Sequence, residues 1–283
     1  MIEGQEGVTW EQWQALAHAC QEHGLFGLFR SDHYGTVHGG AGSLDAWATL
    51  AALGPLTERI RLGTLVSPVT FRHPSVLAKS VVTADHASGG RMELGMGAGW
   101  NPNEHVAYGF PFPDTGTRME MLGEQLEIVH QSWDKESFSF QGAHYQLEDC
   151  SAEFKPLQRP HPRLIVGGTG GAKTIDLAAR WADEYNMFGK EPDDFRRVRP
   201  MLDAACGRYG RDPGEVRMTA MNRIESFLVG APDGWTAADT GRAVERFRAY
   251  ADARVERAYL QHLAHNDLEM VAVVGRQVLP ALA

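Results

Sequence analysis

Residues 60–66 read Ile60-Arg61-Leu62-Gly63-Thr64-Leu65-Val66, an apolar run that leaves through Ser67-Pro68. Pro74 then opens a helical pattern with Leu77, Val81 and Ala84 on one face, which closes at Gly89-Gly90. A second apolar run, Arg91-Met92-Glu93-Leu94-Gly95-Met96, exits through Gly97-Ala98-Gly99-Trp100. Strand, helix and strand with no return hairpin is the repeating unit of a parallel sheet.

The same alternation extends in both directions. Upstream, Thr9 caps a helix with Gln12 completing a capping box; Trp13, Leu16, Ala17 and Cys20 share a face, and Gly24 ends it. Residues 25–30 form a strand ending in Ser31-Asp32-His33, and residues 44–53 a helix stopped by Gly54-Pro55. Downstream, Thr117 and Glu120 read as a second capping box for a helix through Leu122, Leu126, Val129 and Trp133. Residues 138–147 alternate around Gly142 as a small hairpin insertion. Strands are expected at 164–168, 183–188, 217–225 and 258–263, and helices at 174–182, 244–251 and 268–279. A further helix lies between 188 and 217, which Pro200 is expected to kink or split.

Seven strands, each followed by a helix, fit either an open doubly wound sheet or a closed (β/α)8 TIM barrel. Polar and glycine-rich signals fall at the C-terminal ends of at least four strands, and this decides for the barrel. An eighth strand must precede Trp10, where only Met1 to Glu3 remain, so the first strand is expected to be very short or truncated. The 283 residues are read as one barrel domain over 1–283, since α/β barrels of about 200–250 residues run as one.

Composition narrows the function. Three scattered cysteines, with no CxxC and no Cys/His cluster, exclude a disulfide framework and a zinc site. A net charge of −9 has the wrong sign for sequence-independent nucleic-acid binding. The acidic start lacks the apolar core of a secretory signal, and no run reaches 18 apolar residues, so no membrane contact and a cytoplasmic location are expected.

Four strand ends carry candidate chemistry. Asp32 and His33 suit proton transfer near neutral pH, or form a structural cap pair. Gly63 to Pro68 lines a planar ligand or is an ordinary strand exit. Gly95, Gly97 and Gly99 open one face to a ligand or to close packing. Gly167-Gly168-Thr169-Gly170-Gly171 before a helix makes an anion nest, with Lys173 in the first turn, or is a plain glycine-rich turn. It lacks the GK[ST] tail of a P-loop. His73, His86 and His105 have no metal-ligand spacing.

Taken together, three stretches resemble the bacterial luciferase-like superfamily, in particular its coenzyme F420-dependent oxidoreductases: Leu28-Phe29-Arg30-Ser31-Asp32-His33, Arg59 to Pro74 and Ser88-Gly89-Gly90-Arg91. Gly97-Ala98-Gly99-Trp100 with Glu104-His105, and Leu164 to Gly168 with Ala182 to Asn186, extend the likeness from about residue 3 to the C-terminus. The resemblance implies a barrel holding a flavin-like cofactor at its mouth. His33 and Asp32 would be catalytic, and Asp32, Thr64, Leu65, Val66, Asn103, Gly167, Gly168 and Thr169 would contact the cofactor. A non-prolyl cis peptide would fall at Leu65–Val66, and Trp100 would wall the substrate side. Trp100 stands where sugar-phosphate dehydrogenases of the family carry Glu. A basic rim of Arg30, Arg72 and Lys173 is expected for the cofactor's anionic tail. The expected activity is hydride transfer between F420 and a small-molecule substrate by a homodimer. The alternatives are an FMN-dependent monooxygenase served by a separate flavin reductase, and a non-catalytic flavin-binding protein.

Overall fold

The computed structural model describes residues 1–37, 39–228 and 234–283. Its strands are β1 (Gly27–Arg30), β2 (Arg61–Thr64), β3 (Ser67–Pro68), β4 (Met92–Gly97), β5 (Ser137–Gln141), β6 (Gln146–Ser151), β7 (Arg163–Gly168), β8 (Glu184–Phe188), β9 (Arg217–Arg223) and β10 (Val255–Gln261). The helices are α1 (Trp10–Glu22), α2 (Ala46–Leu53), α3 (Pro74–Ala87), α4 (Pro102–Tyr108), α5 (Thr115–Asp134), α6 (Ala172–Trp181), α7 (Pro192–Arg208), α8 (Ala237–Asp252), α9 (Leu268–Val273) and α10 (Leu279–Leu282).

The main sheet runs β1-β2-β4-β7-β8-β9-β10 with every pairing parallel, and β3 adds to the end of β4. Ile2 bridges Arg30 on one side and His262 on the other, both in parallel sense. The expected short first strand is therefore one residue, and it closes the ring. β5 and β6 form the anticipated hairpin outside the barrel. Helices cover the sheet through a continuous apolar layer including Trp13, Leu50, Leu77, Leu126, Val198 and Tyr250.

Thr9 and Gln12 make the capping box at α1. The second box does not form. α5 starts at Thr115 and is capped by Asp114, whose carboxylate accepts from the Thr117 amide at 3.1 Å and hydroxyl at 2.6 Å. An acid three residues upstream of the expected cap outcompetes the threonine. Nor does Pro200 split its helix, for α7 is continuous through it. Pro200 and the residue whose carbonyl it deprives, Arg196, both lie on the exposed face, where solvent can satisfy the freed carbonyl. α4 was not anticipated, although Asn101 as N-cap followed by Pro102 is a helix-start signal.

The barrel interior has two layers. Toward the N-terminal strand ends, the Glu93 carboxylate takes Arg61 at 2.9 Å and Arg257 at 2.8 Å. Glu184 accepts from Tyr259 Oη at 2.6 Å and Thr219 Oγ1 at 2.8 Å, with Arg257 3.3 Å away. Burial pushes the Glu184 carboxyl up and Glu93 adds to this, against the pull of Arg257. Above this lies an apolar layer of Phe29, Leu65, Ile165 and Tyr259. The interior is thus filled, and the C-terminal mouth is the place to look for a site in such a barrel.

Candidate active site

The floor of the mouth is built from the β2–β3 junction. The Leu65–Val66 peptide is cis, as the resemblance implied. Leu65 points into the interior layer, and Val66 is half-buried above it. A Cβ on Gly97 would lie 2.7 Å from Val66 Cγ2, and one on Gly95 or Gly167 would lie 3.0 Å from Cγ1. The bare faces of these glycines are therefore occupied by Val66, so their first role is close packing. They seat a valine at the centre of the mouth, with part of its surface open. Thr64 is fully buried, and its hydroxyl joins the Gly95 carbonyl at 3.1 Å. Gly97→Ala is expected to destabilise the protein by about 1–3 kcal/mol by overpacking against Val66. Thermal denaturation checks this, and an unchanged Tm would refute the packing role.

Asp32 leaves β1 into a buried polar knot. Its Oδ2 accepts from Ser67 Oγ at 2.6 Å and Arg72 Nη1 at 2.5 Å. Ser67 in turn accepts from Trp47 Nε1 at 3.1 Å, and Arg72 also reaches Asp45 at 2.5 Å and Tyr34 Oη at 2.9 Å. Asp32 Oδ1 is buried and receives no hydrogen bond from the described residues.

His33, the next residue, engages Glu104 instead: Nδ1 lies 2.7 Å from Oε1. The other carboxylate oxygen accepts the amides of Tyr34 at 3.1 Å and Gly35 at 3.4 Å, so one acid holds both the ring and the loop behind it. The Trp100 ring packs edge-on to His33 at 5.6 Å while 61% exposed. Burial draws the His33 pKa down, but the hydrogen bond and charge of Glu104, joined by Glu3 and Asp32, outweigh it. The net shift is above the ordinary 6.5. With Nδ1 donating to Glu104, Nε2 remains to give or take a proton.

On the opposite side, β7 ends in Gly167 and Gly168 and leads into α6, whose N-cap Gly171 provides no side-chain cap. Its first-turn amides thus keep their capacity to bind an anion. A Cβ on Gly168 would strike Tyr185 Oη at 2.6 Å and Thr174 Oγ1 at 2.8 Å. Tyr185 Oη also receives the Gly170 amide at 3.0 Å, which fixes the loop. Thr169 is exposed on it.

The strand-end motifs therefore converge. Asp32 bonds Ser67, Ser67 follows Val66, and Val66 rests on Gly97 and Gly167. Two expectations need correction. Arg30 is not a rim residue: it is fully buried, donates to Ser31 O, Ser43 Oγ and Leu44 O, and burial lowers its pKa to about 10. Arg72 is committed to Asp32 and Asp45. Lys173 of that rim is exposed. Asn103 sits exposed on α4, while the buried asparagine is Asn101, whose side chain accepts the Asn103 amide at 3.1 Å. Sequence reading missed the role of Glu104. Its only local signal was an acid in the first turn after Asn101-Pro102, since its partner lies 71 residues away.

A family model described as luciferase-like monooxygenase matches residues 2–224. An uncharacterized protein of Mycobacterium tuberculosis is 35% identical over 219 residues, which cover 73% of this chain and 76% of that one. A Microbacterium testaceum protein named F420-dependent glucose-6-phosphate dehydrogenase is 34% identical over 201 residues, 70% of this chain and 59% of its own. Among solved structures, an F420-dependent secondary alcohol dehydrogenase in complex with an F420-acetone adduct superposes with a TM-score of 0.85 at 17% identity, covering 100% of this chain and 98% of that one. That likeness supports the barrel.

Proposed function

We propose, since the chain belongs to the luciferase-like monooxygenase family, that this enzyme moves a hydride between the deazaflavin coenzyme F420 and a small organic substrate. The observation that carries the reading is the His33–Glu104 pair at 2.7 Å beside an exposed Trp100, a proton-transfer group held at the mouth of the barrel.

The residues fit such a cofactor. Val66 offers a flat ring an apolar surface, and the buried, donor-free Asp32 Oδ1 suits a ring N–H. The uncapped start of α6, with exposed Lys173, suits a phosphate. When bound, a deazaflavin supplies a ring carbon that accepts or gives hydride without ready reaction with oxygen. The protein's own work is to orient the substrate against Trp100 and to move the accompanying proton at His33 Nε2. Glu104 holds the ring for that transfer and stabilises the imidazolium when the proton arrives. Assembly as a homodimer belongs to the same proposal and is measurable by light scattering.

The second reading is an FMN-dependent monooxygenase supplied by a flavin reductase, favoured by the description of the matching family model. Equilibrium titration with both cofactors separates the two. Saturable F420 binding and oxygen-insensitive turnover are expected; FMN binding with oxygen consumption would replace the first reading by the second. Lys173→Ala should weaken F420 binding several-fold at low salt. The difference should fade toward 0.15 M, where the Debye length is about 8 Å.

A further inference from the structure

At the base of the barrel, away from the mouth, the last turn of α5, the end of α6 and the loop entering β7 enclose a cavity of about 290 Å³ whose walls include His130, Trp133, His161 and Trp181. His130 Nε2 lies 2.9 Å from the Trp181 carbonyl, and His161 Nδ1 lies 2.9 Å from the Pro162 carbonyl. A carbonyl only accepts, so each of these nitrogens carries the proton. The lone pairs of the neutral rings therefore fall on His130 Nδ1 and His161 Nε2. Neither of those two atoms has a hydrogen-bond partner among the described residues, and neither is sealed from solvent.

The two rings are held in place from behind. His161 stacks on Trp133 at 5.6 Å, and His130 lies against Trp181 at 5.0 Å. The imidazoles themselves stand edge to face with centroids 4.9 Å apart. Two imidazoles on one tetrahedral cation, with bonds of about 2.0 Å, place their ring centroids about 5 Å apart. An N–H anchored on a backbone carbonyl is also what orients histidine ligands in metal sites.

The surroundings accept positive charge. α5 and α6 both end here, and helix C-termini carry partial negative charge. Asp134 lines the cavity, and Asp183 Oδ2 lies 3.7 Å from His161 Nδ1. The neighbouring cations are engaged: Lys155 and Arg159 donate to backbone carbonyls, Arg180 pairs with Glu127, and Arg211 with Glu215 and two carbonyls.

We propose that His130 and His161 form a two-histidine site for a divalent transition-metal cation of the zinc, nickel and copper class, which clips the end of α5 to the loop before β7. No third His, Cys, Asp or Glu joins them among the described residues, so water completes the coordination. Imidazole nitrogen selects these ions over magnesium and calcium. The lack of a local Cys/His cluster in the sequence, which argued against a zinc site, does not bear on a pair assembled from a helix end and a distant loop.

The test is isothermal titration of the tag-free protein with zinc chloride, with magnesium chloride as the control. One saturable equivalent is expected for zinc and none for magnesium. His130→Gln and His161→Gln should each weaken zinc binding by more than the about 10–100-fold that loss of an outer partner costs in metal sites. Zinc should also raise the Tm of the parent and leave that of both variants unchanged, because a ligand bound only by the folded state stabilises it. His161→Gln lies outside the helix and decides the matter alone if His130→Gln fails to fold. Absence of saturable zinc binding, or binding that persists unchanged in His161→Gln, would overturn the proposal. None of these readouts involves F420, so the result stands apart from the proposed function.

Discussion

His33→Asn is expected to lower kcat by about 10²–10⁴, the usual contribution of a positioned general acid or base, while the cofactor Kd changes little. The ring's hydrogen bond is to Glu104 and its ring contact is to Trp100, which is why binding and chemistry should separate. Turnover within a few-fold of the parent would take His33 out of the mechanism. Glu104→Gln tests the same pair from the other side, as a positioning residue. The carboxylate raises the His33 pKa against the downward pull of burial, so removing its charge must lower that pKa. If His33 takes a proton during alcohol oxidation, its neutral form is the active one. The rising limb of the pH profile should then move to lower pH in the variant, while kcat falls because the ring loses its orienter. A profile that stays in place while activity drops would leave Glu104 with a structural role only.

The second large effect is on stability. Arg257→Met removes the cation shared by Glu93 and Glu184, at 2.8 and 3.3 Å, inside the barrel. Glu93 retains Arg61, but Glu184 is left fully buried with Tyr259, Thr219 and a distant Arg163 at 4.0 Å. Breaking a buried pair by deleting one partner typically costs about 3–5 kcal/mol. For a chain of this size that is a fall in Tm on the order of 10 °C. Thermal and urea unfolding both report it. Adding Glu184→Gln should restore part of the loss, because the orphaned charge is then gone; no recovery in the double variant would contradict the electrostatic explanation.

The network in the barrel shows how unevenly the sequence exposed its own fold. Glu93, Glu184 and Arg257 sit in three different strands, and no local pattern joins them. The alternation of strands and helices was legible because it rests on periodicity within about ten residues, which burial imposes on each element separately. The same holds for the Thr9–Gln12 cap and the hairpin over β5 and β6. The one-residue first strand was legible by counting, since a parallel barrel needs a closing partner between β1 and β10. Cap competition at Asp114, and the survival of α7 through Pro200, turned on which neighbour or face each residue acquired.

At the site the division is sharper. By itself the sequence determined that strand tips carrying Asp32-His33, Leu65-Val66, Gly97 and Gly167-Gly168 face one end of a barrel, because direction along a parallel strand is a local property. Only the tertiary structure decided what each tip does there. It gave the glycine faces to Val66, spent Arg72 on Asp32 and Arg30 on a buried backbone site, and brought Glu104 to His33 across 71 residues. Hydrogen bonds and charges act over a few ångströms in space, and a linear chain does not reveal which distant residues will come within that reach.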